Sequence, residues 1–252
     1  MTLTYPSRKR TRTMVRRRAP FRRIRFRRRR RNYIPRTITP DTKMCKLRYC
    51  YTTQINPGSG ATAMEHVRAN DLVFPSSGTG SHQPMGFDQI MSLYERFCVV
   101  GSKINVAFII NNTGAAADSR PPTAIVGIAL RNTDIDESVQ DNTASQLNEG
   151  LLERNRTQWK YLNSQANGGA IKTITHKFST KKFFHLKSIN DSAGNARDEG
   201  SCWGLASSSP TTLAYYNVFA APFSDVQDLS LTVRITVDYT AVFQGRKLLG
   251  QS

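Results

Sequence analysis

The chain has 252 residues, is 38% hydrophobic and carries 36 Lys+Arg against 18 Asp+Glu, a formal net charge of +18. Its longest apolar stretches, Asn105 to Ile110 and Thr123 to Leu130, fall far short of the roughly 20 residues a membrane-spanning helix needs, which excludes insertion by helices. Cys45, Cys50, Cys98 and Cys202 are too few and too scattered for a disulfide framework or a CxxC zinc site, so reduced thiols are expected. The first residues hold no apolar run, so we expect no secretory signal, and the sequons at Asn111, Asn155 and Asn190 then carry no information.

Residues 1–36 hold the surplus charge. Arg8, Lys9, Arg10, Arg12, Arg16, Arg17, Arg18, Arg22, Arg23, Arg25, Arg27, Arg28, Arg29, Arg30, Arg31 and Arg36 give this arm +16 with no acid, while the other 216 residues hold 20 Lys+Arg against 18 Asp+Glu. Arginine at this density repels itself, and Tyr5, Val15, Phe21, Ile24, Phe26 and Tyr33 offer too little apolar surface to offset chain entropy, so the arm is expected to be disordered until a polyanion binds it. Nucleic acid is the natural partner, because guanidinium forks onto phosphates, stacks on bases and releases condensed counterions. A solubilising tail would mix signs or favour Lys and Glu, and Phe21, Ile24 and Phe26 make too scant an apolar face for a membrane surface.

The remainder, residues 37–252, reads as one large domain written in period two. After a hinge marked by Pro35 and Pro40, Cys45, Leu47, Tyr49, Tyr51 and Ile55 share one strand face, and a second strand is expected over Glu65 to Phe74. Asp88 is placed to cap a short helix lined by Phe87, Ile90, Met91 and Tyr94. Cys98, Val100, Ile104, Val106, Phe108 and Ile110 form the next strand face, followed by Ala124, Val126, Ile128 and Leu130. A helix is a weaker expectation over Ala144 to Arg154. Strands follow over Ile171 to Phe178, Ser201 to Leu205, Leu213 to Ala221 and, most clearly, Leu229 to Phe243. Long loops are expected over Asn111 to Pro122, Asn132 to Thr143 and Ser188 to Gly200. About eight strands with few helices describe an all-β, two-sheet antiparallel sandwich, for which the eight-stranded jelly roll is a standard solution. The strand that begins near Lys43 would pair with the last one, bringing the two ends of the domain together.

No catalytic constellation or cofactor site is legible. His66, His82, His176 and His185 lie far apart without HExxH, a nucleophile elbow or a Walker string, and His176 shares register with Ile174 and Phe178, as an interior histidine does. Asp134, Asp136 and Glu137 read as a solvated loop in preference to an ion site, so no metal is expected.

Six acids and no base lie between Asn132 and Glu153, then eight bases and no acid between Arg154 and Asn190. Solvation or pairing within the chain, pairing between neighbouring subunits, and a second basic surface built on Lys172, Lys177, Lys181, Lys182 and Lys187 all fit that order. Trp159, Tyr161, Phe178, Phe183 and Phe184 interleave with these bases as in a base-stacking platform, although aromatics in a β domain are more often core.

One local string ties these features together: His82-Gln83-Pro84-Met85-Gly86-Phe87-Asp88-Gln89, then Tyr94, then Val100-Gly101-Ser102-Lys103-Ile104. With the opening Met1 to Pro6 and its arginine clusters, and the closing Val233-Arg234-Ile235-Thr236-Val237-Asp238-Tyr239, it resembles the capsid proteins of circovirus-like viruses with small circular single-stranded DNA genomes. The resemblance covers nearly the whole chain. It implies a jelly roll, a T=1 icosahedral shell of sixty copies, arms turned inward on the genome, and nuclear import through the same arginines by host machinery. It thus implies a virion and host-nucleus location, with no membrane insertion, and says nothing of host or attachment factor. A small RNA virus coat and a cellular nucleic-acid-condensing protein are the alternative readings of a basic arm.

Overall fold

The computed structural model describes residues 40–57, 62–76, 82–111, 123–133, 151–163, 171–186, 188–189, 202–223 and 229–247. All lie in the second of two units, Met1–Ile38 and Thr39–Ser252. The arm, Lys187, the acids from Asp134 to Glu149 and most of the three expected long loops fall outside the described residues.

Among the described residues nine strands carry the body: β1 (Thr42–Ile55), β2 (Ala63–Arg68), β3 (Tyr94–Ile110), β4 (Thr123–Arg131), β5 (Thr157–Asn163), β6 (Lys172–Ser179), β7 (Gly204–Leu205), β8 (Tyr215–Pro222) and β9 (Leu231–Arg246). One sheet runs β1-β9-β3-β6, with the two-residue β7 added to β3, and the other runs β2-β8-β4-β5. Every pairing is antiparallel. Interleaving the first strands of the chain with the last in both sheets is the strand order of an eight-stranded jelly roll.

The alternation of β9 makes it the centre of the first sheet. Leu231, Val233, Ile235, Val237, Tyr239, Ala241 and Phe243 point inward and are wholly buried, while the residues between them face out. Burying each large side chain stabilises the fold by roughly 1.5–3 kcal/mol relative to exposure. β9 pairs with β1 from Thr42↔Gln244 to Ile55↔Leu231, so the two ends of the domain do lie side by side.

Buried and half-buried tyrosines need partners for their hydroxyls, and find them across the sandwich. Tyr239 donates to the Arg68 carbonyl at 2.7 Å, Tyr216 to the Ser102 carbonyl at 3.1 Å, and Tyr51 to Glu65 at 2.8 Å, linking the two sheets. Burial, followed by the nearby Glu65 charge, pushes the Tyr51 phenol well above its ordinary pKa.

Four sequence expectations are corrected. β5 was not anticipated, because it is an edge strand on which only Leu162 is buried and the period of two is invisible. β2 ends at Arg68: Asn70 and Asp71 are buried and hydrogen-bond the backbone of Thr212, Ala214 and Val73, replacing the ladder. In β3 the register shifts between Val99 and Gly101, so Phe97 and Val99 face inward before the bulge and Ser102, Ile104 and Val106 after it; Cys98 and Val100 do not share their face. The short helix α1 (Phe87–Met91) is entered through Gly86 at φ 85°, with Asp88 in its first turn and not at the cap.

The strands β4 and β8 are buried on both faces. Between the sheets they join the main core, and on the outward side Ile125, Ala129, Phe219 and Leu151 form a second small cluster. The Phe219 ring lies where any side chain on Gly127 would stand, which explains a glycine in a central strand.

Candidate nucleic-acid interface

The outward face of the first sheet is assembled by register. Arg48 on β1 stands opposite Asp238 on β9, Asp238 opposite Lys103 on β3, and Lys103 opposite Lys177 on β6. Lys46 lies one row away opposite Thr240, and Arg234 two rows away between Thr52 and Ala107. Lys46, Arg48, Lys103, Lys177 and Arg234 are all exposed. Over these four strands, from Lys46 to Thr52 and across the residues paired with them, Asp238 is the one carboxylate.

That carboxylate is engaged. Arg48 Nε donates to Asp238 Oδ1 at 2.6 Å and Nη2 to Oδ2 at 3.3 Å, and this bonding and charge raise the guanidinium pKa further. Neighbouring outward positions offer neutral donors and acceptors: Thr175 Oγ1 donates to Asn105 Oδ1 at 3.1 Å, and Cys50 Sγ lies 3.4 Å from Thr236 Oγ1. The Cys50 thiol pKa is lowered, first by the Thr236 contact and then, against burial, by Arg234 and Arg48. A shallow depression of about 710 Å³ runs over this region, lined by Lys46, Arg48, Gly101, Lys103, Lys177 and Asp238. Gly101 lets β3 and β6 approach closely beneath it, because a Cβ there would come within 2.9 Å of the Phe178 carbonyl oxygen.

The expected basic surface of residues 172–187 is divided. Lys177 belongs to the sheet face just described; Lys172 is exposed at the start of β6, roughly 17 Å away along the strand. Lys181 and Lys182 are exposed on the helical turn α2 (Thr180–Phe183) that follows β6. Lys46, Arg48 and Arg234 were legible only as members of polar strand faces and Lys103 only within the resemblance string, since residues 48, 103, 177 and 238 meet through pairing alone.

The aromatics divide as well. Phe178 is buried, Phe183 and Phe184 pack against the core, and the three rings touch at centroid distances of 5.0–6.1 Å. Trp159 and Tyr161 instead stand exposed on the outward face of β5, where Trp159 meets Tyr161 at 5.2 Å and Tyr161 meets Phe223 at 6.0 Å, both edge to face.

His176 is interior, as its register indicated. Its ring lies 6.0 Å from Tyr216, its Nδ1 has no hydrogen-bond partner, and burial lowers its pKa. Among the described residues no group of His, Cys, Asp or Glu could hold a metal ion, and all four cysteines are free. The resemblance string is structural where it is described: His82 stacks on Tyr49 at 4.6 Å, and buried Phe87 meets Phe97 edge-on at 5.2 Å. The chain enters the body at Pro40, whose carbonyl accepts a 2.9 Å bond from Tyr94 Oη.

No family model and no curated protein matches the sequence. Among solved structures, the chain resembles the semi-empty virus-like particle of the giant freshwater prawn Macrobrachium rosenbergii nodavirus (11% identity, TM-score 0.40, covering 85% of this chain and 100% of that one). It also resembles the 60-mer of the BFDV capsid protein (10%, 0.39, 84% and 97%) and the capsid of Penaeus monodon metallodensovirus (9%, 0.41, 82% and 76%). At these scores the likeness carries no argument, and the jelly roll rests on the strand order itself.

Proposed function

We propose that this chain is the capsid protein of a small virus with a circular single-stranded DNA genome, and that it packages that genome through its arginine arm. The observation that carries the reading is the segregation of charge: +16 in residues 1–36 ahead of a body of net +2. A jelly roll supplies a rigid wall unit with loops at both ends, and the arm supplies a sequence-indifferent phosphate binder. In the sixty-copy T=1 shell that the sequence resemblance implies, the arms bring about 960 positive charges, enough to neutralise on the order of a thousand nucleotides. The same arginines serve as the nuclear localisation signal, and subunit contacts join copies of the body into the shell.

Purified protein viewed by electron microscopy, with its cargo extracted and treated with DNase or RNase, tests the reading. Uniform closed particles with DNase-sensitive cargo are expected. Soluble monomers overturn the capsid role, and RNase-sensitive cargo makes the chain an RNA virus coat. Deleting residues 1–36 is expected to leave the body folded by circular dichroism and to abolish nucleic-acid retention and nuclear entry.

A further inference from the structure

We propose that the outward face of the β1-β9-β3-β6 sheet is a second phosphate-binding surface for single-stranded nucleic acid, with Lys46, Arg48, Lys103 and Lys177 holding backbone phosphates. The inference rests on the packaging reading and adds to it a folded site that the arm does not provide.

Three observations carry it. The first is the excess of charge: five exposed cations face one carboxylate over the part of the four strands that runs from Lys46 to Thr52 and across the residues paired with it. The second is the placement of Lys103 directly opposite Lys177. Like charges facing each other across antiparallel strands destabilise a sheet, and a residue pattern chosen for folding alone would put an acid or a neutral side chain at one of the two positions. A polyanion lying on the face removes the repulsion. The third is shape and chemistry together: the depression beside Gly101 is lined by Lys46, Arg48, Lys103 and Lys177, and the next row of the same face holds the hydroxyl and amide groups of Thr175, Asn105 and Thr236, which suit phosphate and sugar oxygens.

Asp238 sets the orientation of the site. Its two-point contact holds the Arg48 guanidinium over the sheet, which fixes a planar donor fork beside Lys103. Adjacent strands are roughly 4.8 Å apart, so Arg48, Lys103 and Lys177 span about 14 Å across the sheet, a track that a few nucleotides can follow. Contact through phosphates alone makes the surface indifferent to base sequence.

The test uses the full chain and a fluorescent oligothymidylate, with affinity measured from low to high salt. Replacing Lys46, Arg48, Lys103 and Lys177 together by Gln is expected to reduce the slope of log K against log salt by about 2 to 3, at roughly 0.7 for each phosphate that is no longer neutralised on a single strand. Circular dichroism and denaturant unfolding verify that this variant is folded. Asp238→Asn is expected to act in the opposite direction, tightening binding and steepening the slope, because it removes the one negative charge among these cations. A folded quadruple variant with an unchanged slope, or an Asp238→Asn variant with unchanged affinity, overturns the inference. Replacing Arg27, Arg28, Arg29, Arg30 and Arg31 by Gln separates the two readings. If that variant loses slope while both sheet variants leave it unchanged, the arm binds and the sheet face does not. If no variant alters the slope, the packaging reading falls as well.

Discussion

The two sheets of this jelly roll present opposite chemistries to the outside although they fold by the same rule. On the first, Lys46, Arg48, Lys103, Lys177 and Arg234 stand exposed over an alternation whose apolar half is wholly inward. On the second, outward positions carry Ile125, Ala129 and Phe219, buried beneath Leu151, with Trp159, Tyr161 and Phe223 open to solvent beside them. Only the inward face of a strand must be apolar for the sandwich to form; the outward face is free to serve another purpose. Here one sheet uses that freedom for charge and the other for a second layer of apolar packing.

The largest expected effect comes from the second sheet. Phe219→Ala removes a ring that is 1% exposed and fills the space above Gly127, and it should cost about 3–5 kcal/mol in urea unfolding although the residue points away from the central core. A cost near that of an ordinary surface substitution would mean that this outer face is as dispensable to folding as the first one.

A smaller effect of opposite sign is expected on the charged face. Lys177→Thr removes the repulsion with Lys103, leaves the Lys103 and Asp238 pair intact, and should raise stability by about 0.2–1 kcal/mol while weakening single-strand binding. Stability gained together with affinity reduced is the signature of a residue kept for function. If stability falls instead, the lysine contributes to the sheet in a way the repulsion argument misses.

The least effect is a pH dependence from beneath the first sheet. Burial lowers the pKa of His176 below its unfolded value of 6.5, so the unfolded chain takes up the proton more readily. Stability from this residue is fully present above pH 6.5 and declines as the pH falls from there toward the folded pKa, where it levels off. Unfolding of His176→Phe measured across that range should be flatter than that of the parent, and an unchanged profile would assign the acid sensitivity to other groups.

Strands with one buried face announced themselves in the sequence, since Leu229 to Phe243 and Cys45 to Ile55 place apolar residues at almost every second position and correspond to β9 and β1. The arm's charge, the interior place of His176 and the all-β class were legible for the same reason: each depends on local composition or local period. β5 was hidden because an edge strand buries little, and the β3 bulge was hidden because one inserted residue reverses parity without altering composition. The Arg48, Asp238, Lys103 and Lys177 row is a product of tertiary structure alone. Its members are separated by up to 190 residues, and pairing register, set by which faces must be buried together, decides which distant side chains become neighbours.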